Sequence, residues 1–234
     1  MAACYRLKLS AQWAQTNCGH IQIGTRLSHL IPLYRMRSDK ILAQFFFNQN
    51  YEAHIPTREE RDHNNIRLND DVVCFTDDSR INDQSGASIF NSTDKEQLFY
   101  PLGELCSVFQ AEVYAILQCA RLEGLHSRSN SSIAICSDSQ AALKALSAAK
   151  VTSALVAKTM AALKELAVFN SVRLVWVPGH NGIPGNEKAD VLANQASLTH
   201  YIGPEPVLGV SSTTVRNALR QWSVLEQYRL WCID

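Results

Sequence analysis

The chain has no stretch approaching the roughly 18 consecutive apolar residues of a membrane-spanning helix. Arg6 and Lys8 interrupt any early hydrophobic core of a signal peptide. Neither a membrane association nor a secretory leader is expected. No Cys-x-x-Cys pair exists among the seven cysteines, an odd number with members inside apolar runs such as Val72-Val73-Cys74-Phe75 and Ile133-Ala134-Ile135-Cys136. That pattern reads as buried free thiols in a reducing, intracellular compartment, nucleus and cytoplasm not being distinguished, and not as a disulfide framework. Cys18, His20 and His29 lack zinc-ligand spacing. The Gly-rich loop lacks the Gly-Lys-Ser/Thr ending of a P-loop, so nucleotide triphosphate binding has little support, and no small-molecule cofactor is expected. Net charge is missing as well: 22 Lys+Arg balance 22 Asp+Glu, which excludes a histone-like basic protein.

What is present is the material of a globular core. Hydrophobic residues make up 46% of 234 residues, enough for one generous domain with flanking pieces. The balanced charge hides an asymmetry. Arg6, Lys8, Arg26, Arg35, Arg37 and Lys40 stand against Asp39 alone in the first 40 residues, whereas residues 71–200 carry 10 basic and 13 acidic residues. The first segment therefore reads as a cationic surface that faces nucleic acid.

The text changes character near residue 70. Before it lie a possible helix over Ala3–Gln15, an apolar Leu30–Leu33 patch, the run Ile41–Phe47, and a polar stretch Thr57–Asp71 that reads as a linker. After it, Val72–Thr76, Gly86–Phe90 and Gln97–Leu102 are short β-rich runs expected to form an antiparallel meander. Cys106–Arg121 has a helical apolar period, Ser132–Ser137 reads as a strand, and Gln140–Ala149 and Thr152–Phe169 read as helices. A strand over Val172–Val177 and a helix over Asn186–Ala196, with Asn186 as its N-cap, complete the order. The expected fold class is α/β, a mixed sheet flanked by helices. Residues 201–234 look like an appendage ending in a helix over Thr214–Trp231.

Four carboxylates fall where strands end or helices face a sheet edge: Asp77 and Asp138 after strands, Glu112 and Asp190 in helices. Singly, each has an ordinary explanation as a turn or capping residue, and Asp138 could cap the helix that starts at Ser139. Together they converge if the strands before Asp77 and Asp138 are parallel neighbours, because open α/β sheets place sites at carboxyl strand ends. Converging carboxylates stay ionised only beside a cation, and oxygen ligands without His or Cys select Mg²⁺, with Mn²⁺ as the substitute. Paired ions roughly 3.5 to 4 Å apart serve phosphoryl transfer. Downstream, Gly179, Gly182 and Gly185 suggest a flexible loop carrying His180 towards such a site for proton transfer or product departure.

The stretches Phe75-Thr76-Asp77-Asp78-Ser79, Phe109-Gln110-Ala111-Glu112, Cys136-Ser137-Asp138-Ser139-Gln140 and Trp176–His180 leading to Gly185–Asp190 resemble type 1 ribonuclease H domains. The nearest resemblance is to those of jockey-like non-LTR retrotransposons. It covers about residues 70–200 and implies a five-stranded mixed sheet of three antiparallel plus two parallel strands. Residues 1–70 would then be the connector after a polymerase, 71–200 the nuclease domain, and 201–234 a helical tail, in a truncated or independently expressed piece of an element polyprotein. The resemblance implies that Asp77, Glu112, Asp138 and Asp190 bind two Mg²⁺ ions, that His180 is the mobile histidine, and that Ser79, Ser139 and Gln140 contact an RNA/DNA hybrid. The implied reaction cuts the RNA strand, leaving 3′-hydroxyl and 5′-phosphate ends. Protein partners are not indicated.

Three departures accompany the match. Asp78 stands where the family has Gly or Ala, a basic protrusion is replaced by two Ala-rich helices, and the asparagines some members place before the helix Glu are missing. Because Asp78 adds negative charge beside metal and phosphate, the alternative reading is a catalytically impaired remnant that still binds nucleic acid.

Overall fold

Side chains alternate across a pleated strand, so the run Val72–Phe75, apolar at every position, has to be covered on both faces. The computed structural model, which describes Leu33, residues 35–56 and residues 68–231, covers it in that way. The helix expected over Ala3–Gln15, the patch up to Pro32 and most of the linker lie outside the described residues.

The elements are β1 (Lys40–Phe45), β2 (Glu52–His54), β3 (Val72–Ile81), β4 (Gln84–Asn91), β5 (Glu96–Gly103), α1 (Val108–Leu125) and β6 (Ser132–Ser137). They continue as α2 (Gln140–Leu146), β7 (Lys150–Ser153), α3 (Ala154–Leu166), β8 (Ser171–Trp176), α4 (Pro184–Leu198) and α5 (Ser212–Trp231). One mixed sheet runs in the order β2-β8-β6-β3-β4-β5. β3, β4 and β5 form the expected antiparallel meander, and β6 and β8 follow in parallel. The sheet has six strands and not five, because Glu52–His54 adds a parallel edge strand beside β8.

On one face Val72 and Cys74 pack with Val113, Ile116 and Leu117 of α1. On the other, Val73 and Phe75 pack with Ala189 and Leu192 of α4. α1 begins with a reciprocal capping box between Ser107 and Gln110, a motif that satisfies two otherwise free donors. α4 sits so close to β4 that a side chain at Gly86 would overlap Ala196.

Three boundaries differ from the sequence reading. The helix over Gln140–Ala149 ends at Leu146, and Lys150–Ser153 is extended, pairing antiparallel with β1. Asp39 explains the change. Its carboxylate accepts the Leu155 amide (2.9 Å) and the Ser153 hydroxyl (2.7 Å), fixing the start of α3 from a residue more than a hundred positions away. Asn186 is not a cap: the helix begins at Pro184 with Ile183 as N-cap, and Asn186 is buried in the first turn. Asp77 does not follow its strand but lies inside β3, which continues to Ile81.

Residues 38–211 form one compact unit. Tyr51 is buried and donates to the Leu146 carbonyl (2.7 Å), so β1 and β2 belong to this unit. Residues 203–210 return to it: Val207 and Leu208 pack on the Leu102–Ala111 cluster, and the Gly209 carbonyl accepts from Gln110 Nε2 (2.7 Å). A bridge joins Ser38 and Val210, with the Asp39 amide donating to the Val210 carbonyl (3.0 Å). The four described cysteines, Cys74, Cys106, Cys119 and Cys136, are free and buried. α5 lies outside this unit and exposes Val224, Leu225, Tyr228 and Trp231. No helix among the described residues is long and apolar enough to cross a membrane.

Candidate active site

β3 and β6 run in parallel register from Val72↔Ile133 to Thr76↔Ser137. There β6 stops, while β3 continues for five more residues. Asp77 and Asp78 occupy the first positions of β3 without a neighbour on that side, and Asp138 is the first residue past the end of β6. The convergence expected of two parallel strands is therefore observed.

The capping question at Asp138 is decided by its neighbour. Ser139 is the N-cap of α2, accepting the Ala142 amide (3.3 Å), which leaves the Asp138 carboxylate unused by the helix. The Asp138 backbone carbonyl is held by the Trp176 indole N–H (2.8 Å). Glu112, near the start of α1 and fully buried, reaches the same place and accepts from the Ser137 hydroxyl (3.3 Å).

Oxygens of Asp77, Asp78 and Glu112 all lie within 4.8 Å of one another. Burial, first, and then the charges of Asp78, Asp138 and Asp77 raise the Glu112 carboxyl. Asp77 Oδ1 accepts the Asp78 amide (2.9 Å). Burial pushes the Asp77 carboxyl up to about 8, and the charge of Asp138 adds to the shift. Burial likewise raises Asp78, Glu112 and Asp138; hydrogen bonding to Glu112 opposes the shift at Asp78 and Asp138, as His180 does at Asp138, while the charge of Asp138 adds to it at Asp78 and Glu112. The shared direction is the signature of like charges held together away from water.

A second group gathers beside the first. Ligand atoms of His180, Glu187 and Asp190 lie within 4.8 Å of one another. The charge of Asp190 reaches Asp77 and Asp138. His180 is exposed and holds a left-handed backbone (φ 49°). Its loop is tied to α4, because the Gly182 amide donates to Glu187 Oε1 (3.2 Å). Gly185 does not belong to that loop: it is buried in α4 against the Phe75 ring.

Ser79 donates to Asn194 Oδ1 (2.6 Å), and Asn194 Nδ2 donates to Asp190 Oδ1 (3.3 Å). Its hydroxyl thus faces α4 and steadies Asp190. Ser139 and Gln140 are half-buried at the start of α2. Asp78, Glu187 and Asn194 are members of the arrangement that the sequence reading left out of its site. Asp78 and Glu187 were visible as charges within the motifs; nothing in the sequence marked Asn194.

The RNase H family model matches residues 69–198, more than half of the chain. The chain belongs to the RNase H family. No curated protein matches it. The RNase H segment holds β3, β4, β5, β6 and β8 of the sheet together with α1 to α4, so all of the carboxylates of this site lie within it. RNase H domains act on RNA/DNA hybrids and depend on divalent metal, and the donor set fits such an ion: hard oxygens, mutually repelling and largely withdrawn from water.

Proposed function

We propose that this chain is an endonuclease that hydrolyses the RNA strand of RNA/DNA hybrids with the help of two Mg²⁺ ions, Mn²⁺ serving as the substitute. The observation that carries the reading is the meeting of Asp77, Asp78 and Glu112 where β6 ends and β3 runs on, with the charge of Asp138 acting on Asp77 and Glu112. Asp77, Glu112, Asp138 and Asp190 are the residues that would hold the ions. Bound there, the ions supply Lewis-acid polarisation of the scissile phosphate and a more acidic attacking water.

The chain's own residues have separable tasks. Ser137 and Trp176 fix Glu112 and Asp138 from behind. Asn194, with Ser79 behind it, orients Asp190. His180 sits at the solvent side of the cluster, where an imidazole takes up a proton or assists the departing product. Ser139 and Gln140, half-buried at the start of α2, are the side chains that would meet the 2′-hydroxyl side of a hybrid, the feature that separates RNA from DNA. Ser79, the third expected substrate contact, is given a positioning role instead.

The wording of the four motifs supports an origin in a jockey-like retrotransposon polyprotein, and the buried free thiols support a reducing, intracellular setting. A second reading, binding without efficient cleavage, is favoured by one observation: Asp78 turns into the carboxylate cluster. The deciding experiment is incubation of the full chain with labelled hybrid in Mg²⁺ and, separately, Mn²⁺. Cleavage of the RNA strand by the wild type, abolished in Asp138→Asn, supports the nuclease; retention of hybrid without cleavage in either ion supports the second reading.

A further inference from the structure

Position 78 is set by the pleat. Cys74, Thr76 and Asp78 share the face of β3 that α1 covers, while Val73, Phe75 and Asp77 share the face that α4 covers. The partner of Asp78 across the ladder, Ala87, is buried in a cluster with Ala111 and Ala115 of α1. A Gly or Ala at position 78 fits beneath that helix with nothing further required. The Asp78 carboxylate there is half-buried and turns along the strand towards Glu112.

Asp78 thereby brings an oxygen within 4.8 Å of both Asp77 and Glu112. The result is three carboxylates around one point, each contributing an oxygen and all carried by rigid elements, a strand and a helix.

We infer that Asp78 is an additional metal-holding residue of this chain: with Asp77 and Glu112 it binds a divalent cation before any nucleic acid arrives. The inference rests on the metal-dependent reading above. It differs from that reading in giving substrate-free affinity to one named side chain. In a site of hard oxygen donors, an extra carboxylate adds both a ligand and a unit of negative charge, and each raises affinity for a divalent ion.

The test is calorimetric titration of the full, nucleic-acid-free chain with MnCl₂ alone, comparing wild type, Asp78→Asn, Asp78→Gly and Asp77→Asn at one pH and ionic strength. Even a residue that only supports a ligand changes metal affinity by about tenfold or more, so loss of a ligand itself is expected to weaken binding by at least that factor in both Asp78 variants. Circular dichroism of the same samples reports whether each variant keeps its fold, and Asp78→Gly, carrying a residue that position accepts in the family, guards against a folding failure of the Asn variant. Wild-type affinity in folded Asp78→Asn and Asp78→Gly, together with loss of binding in Asp77→Asn, overturns the inference while leaving the proposed function standing. Absence of Mn²⁺ binding by the wild type overturns both.

Discussion

A side chain at Gly179 would overlap the Asp138 carboxylate. The loop backbone after β8 thus forms one wall of the site, and the missing Cβ gives Asp138 its room. Gly179→Ala is expected to displace the carboxylate by a fraction of its own length and lower kcat on hybrid by about 10- to 100-fold, since a 1 Å misplacement at a reacting centre costs that much. Steady-state cleavage assays check it, with an unchanged circular dichroism spectrum showing that the fold survives. Wild-type kcat in Gly179→Ala would mean that Asp138 has slack the structure does not display.

The raised Asp77 carboxyl makes the metal-free protein sensitive to pH in a definite direction. Between the ordinary value of 3.8 and about 8, the folded chain holds a proton on Asp77 that the unfolded chain releases. Stability that is fully present below the lower value is therefore lost as pH rises through the upper one. In excess chelator, the melting temperature is expected to fall from about pH 5 to about pH 8, and Asp77→Asn, which cannot ionise, to show a shallower fall. Glu112, Asp78 and Asp138 shift in the same direction, so the slope shrinks without vanishing. Equal slopes in the two proteins would remove Asp77 from the account.

Ser79→Ala separates positioning from substrate contact. If the hydroxyl serves Asn194 and, through it, Asp190, kcat falls by a few-fold and KM stays at the wild-type value. A rise in KM with kcat unchanged would return Ser79 to the hybrid-binding surface that the sequence suggested.

Asp39 lies outside the segment matched by the family, yet its carboxylate holds the first turn of α3. Asp39→Ala leaves the Leu155 amide without its partner and is expected to cost about 2 kcal/mol, the usual penalty for an orphaned buried donor. Urea unfolding of the full chain measures it, and a loss below about 0.5 kcal/mol would show that water replaces the carboxylate.

Most of the central sheet was legible because its strands announce themselves locally: Val72–Phe75 and Ile133–Cys136 are apolar on both faces, as buried parallel neighbours must be. The short strands were not. Glu52–His54 and Lys150–Ser153 carry no period of their own and exist only through partners far away in sequence, β8 and β1. The same division holds for the site. Asp77, Glu112 and Asp138 are legible as a set, since each stands in sequence beside an apolar run, although Asp77 lies inside β3 and not at its end. The orientation of Asp78 followed from counting alternate residues along β3, but only once α1 was known to cover that face. The bond from Ser79 to Asn194 is invisible in the motif, because its partner comes from a helix 115 residues further along the chain.

The bridge between Ser38 and Val210 means that the polypeptide enters and leaves the compact unit at a single place. Topologically, residues 38–211 are a loop pinned at its base, and the two connections, to residues before and after, share one anchorage. New ends opened in an exposed turn, with Ser38 and Ser211 joined by a short linker, are accordingly expected to give a permuted chain that keeps the sheet order, as neighbouring termini generally allow.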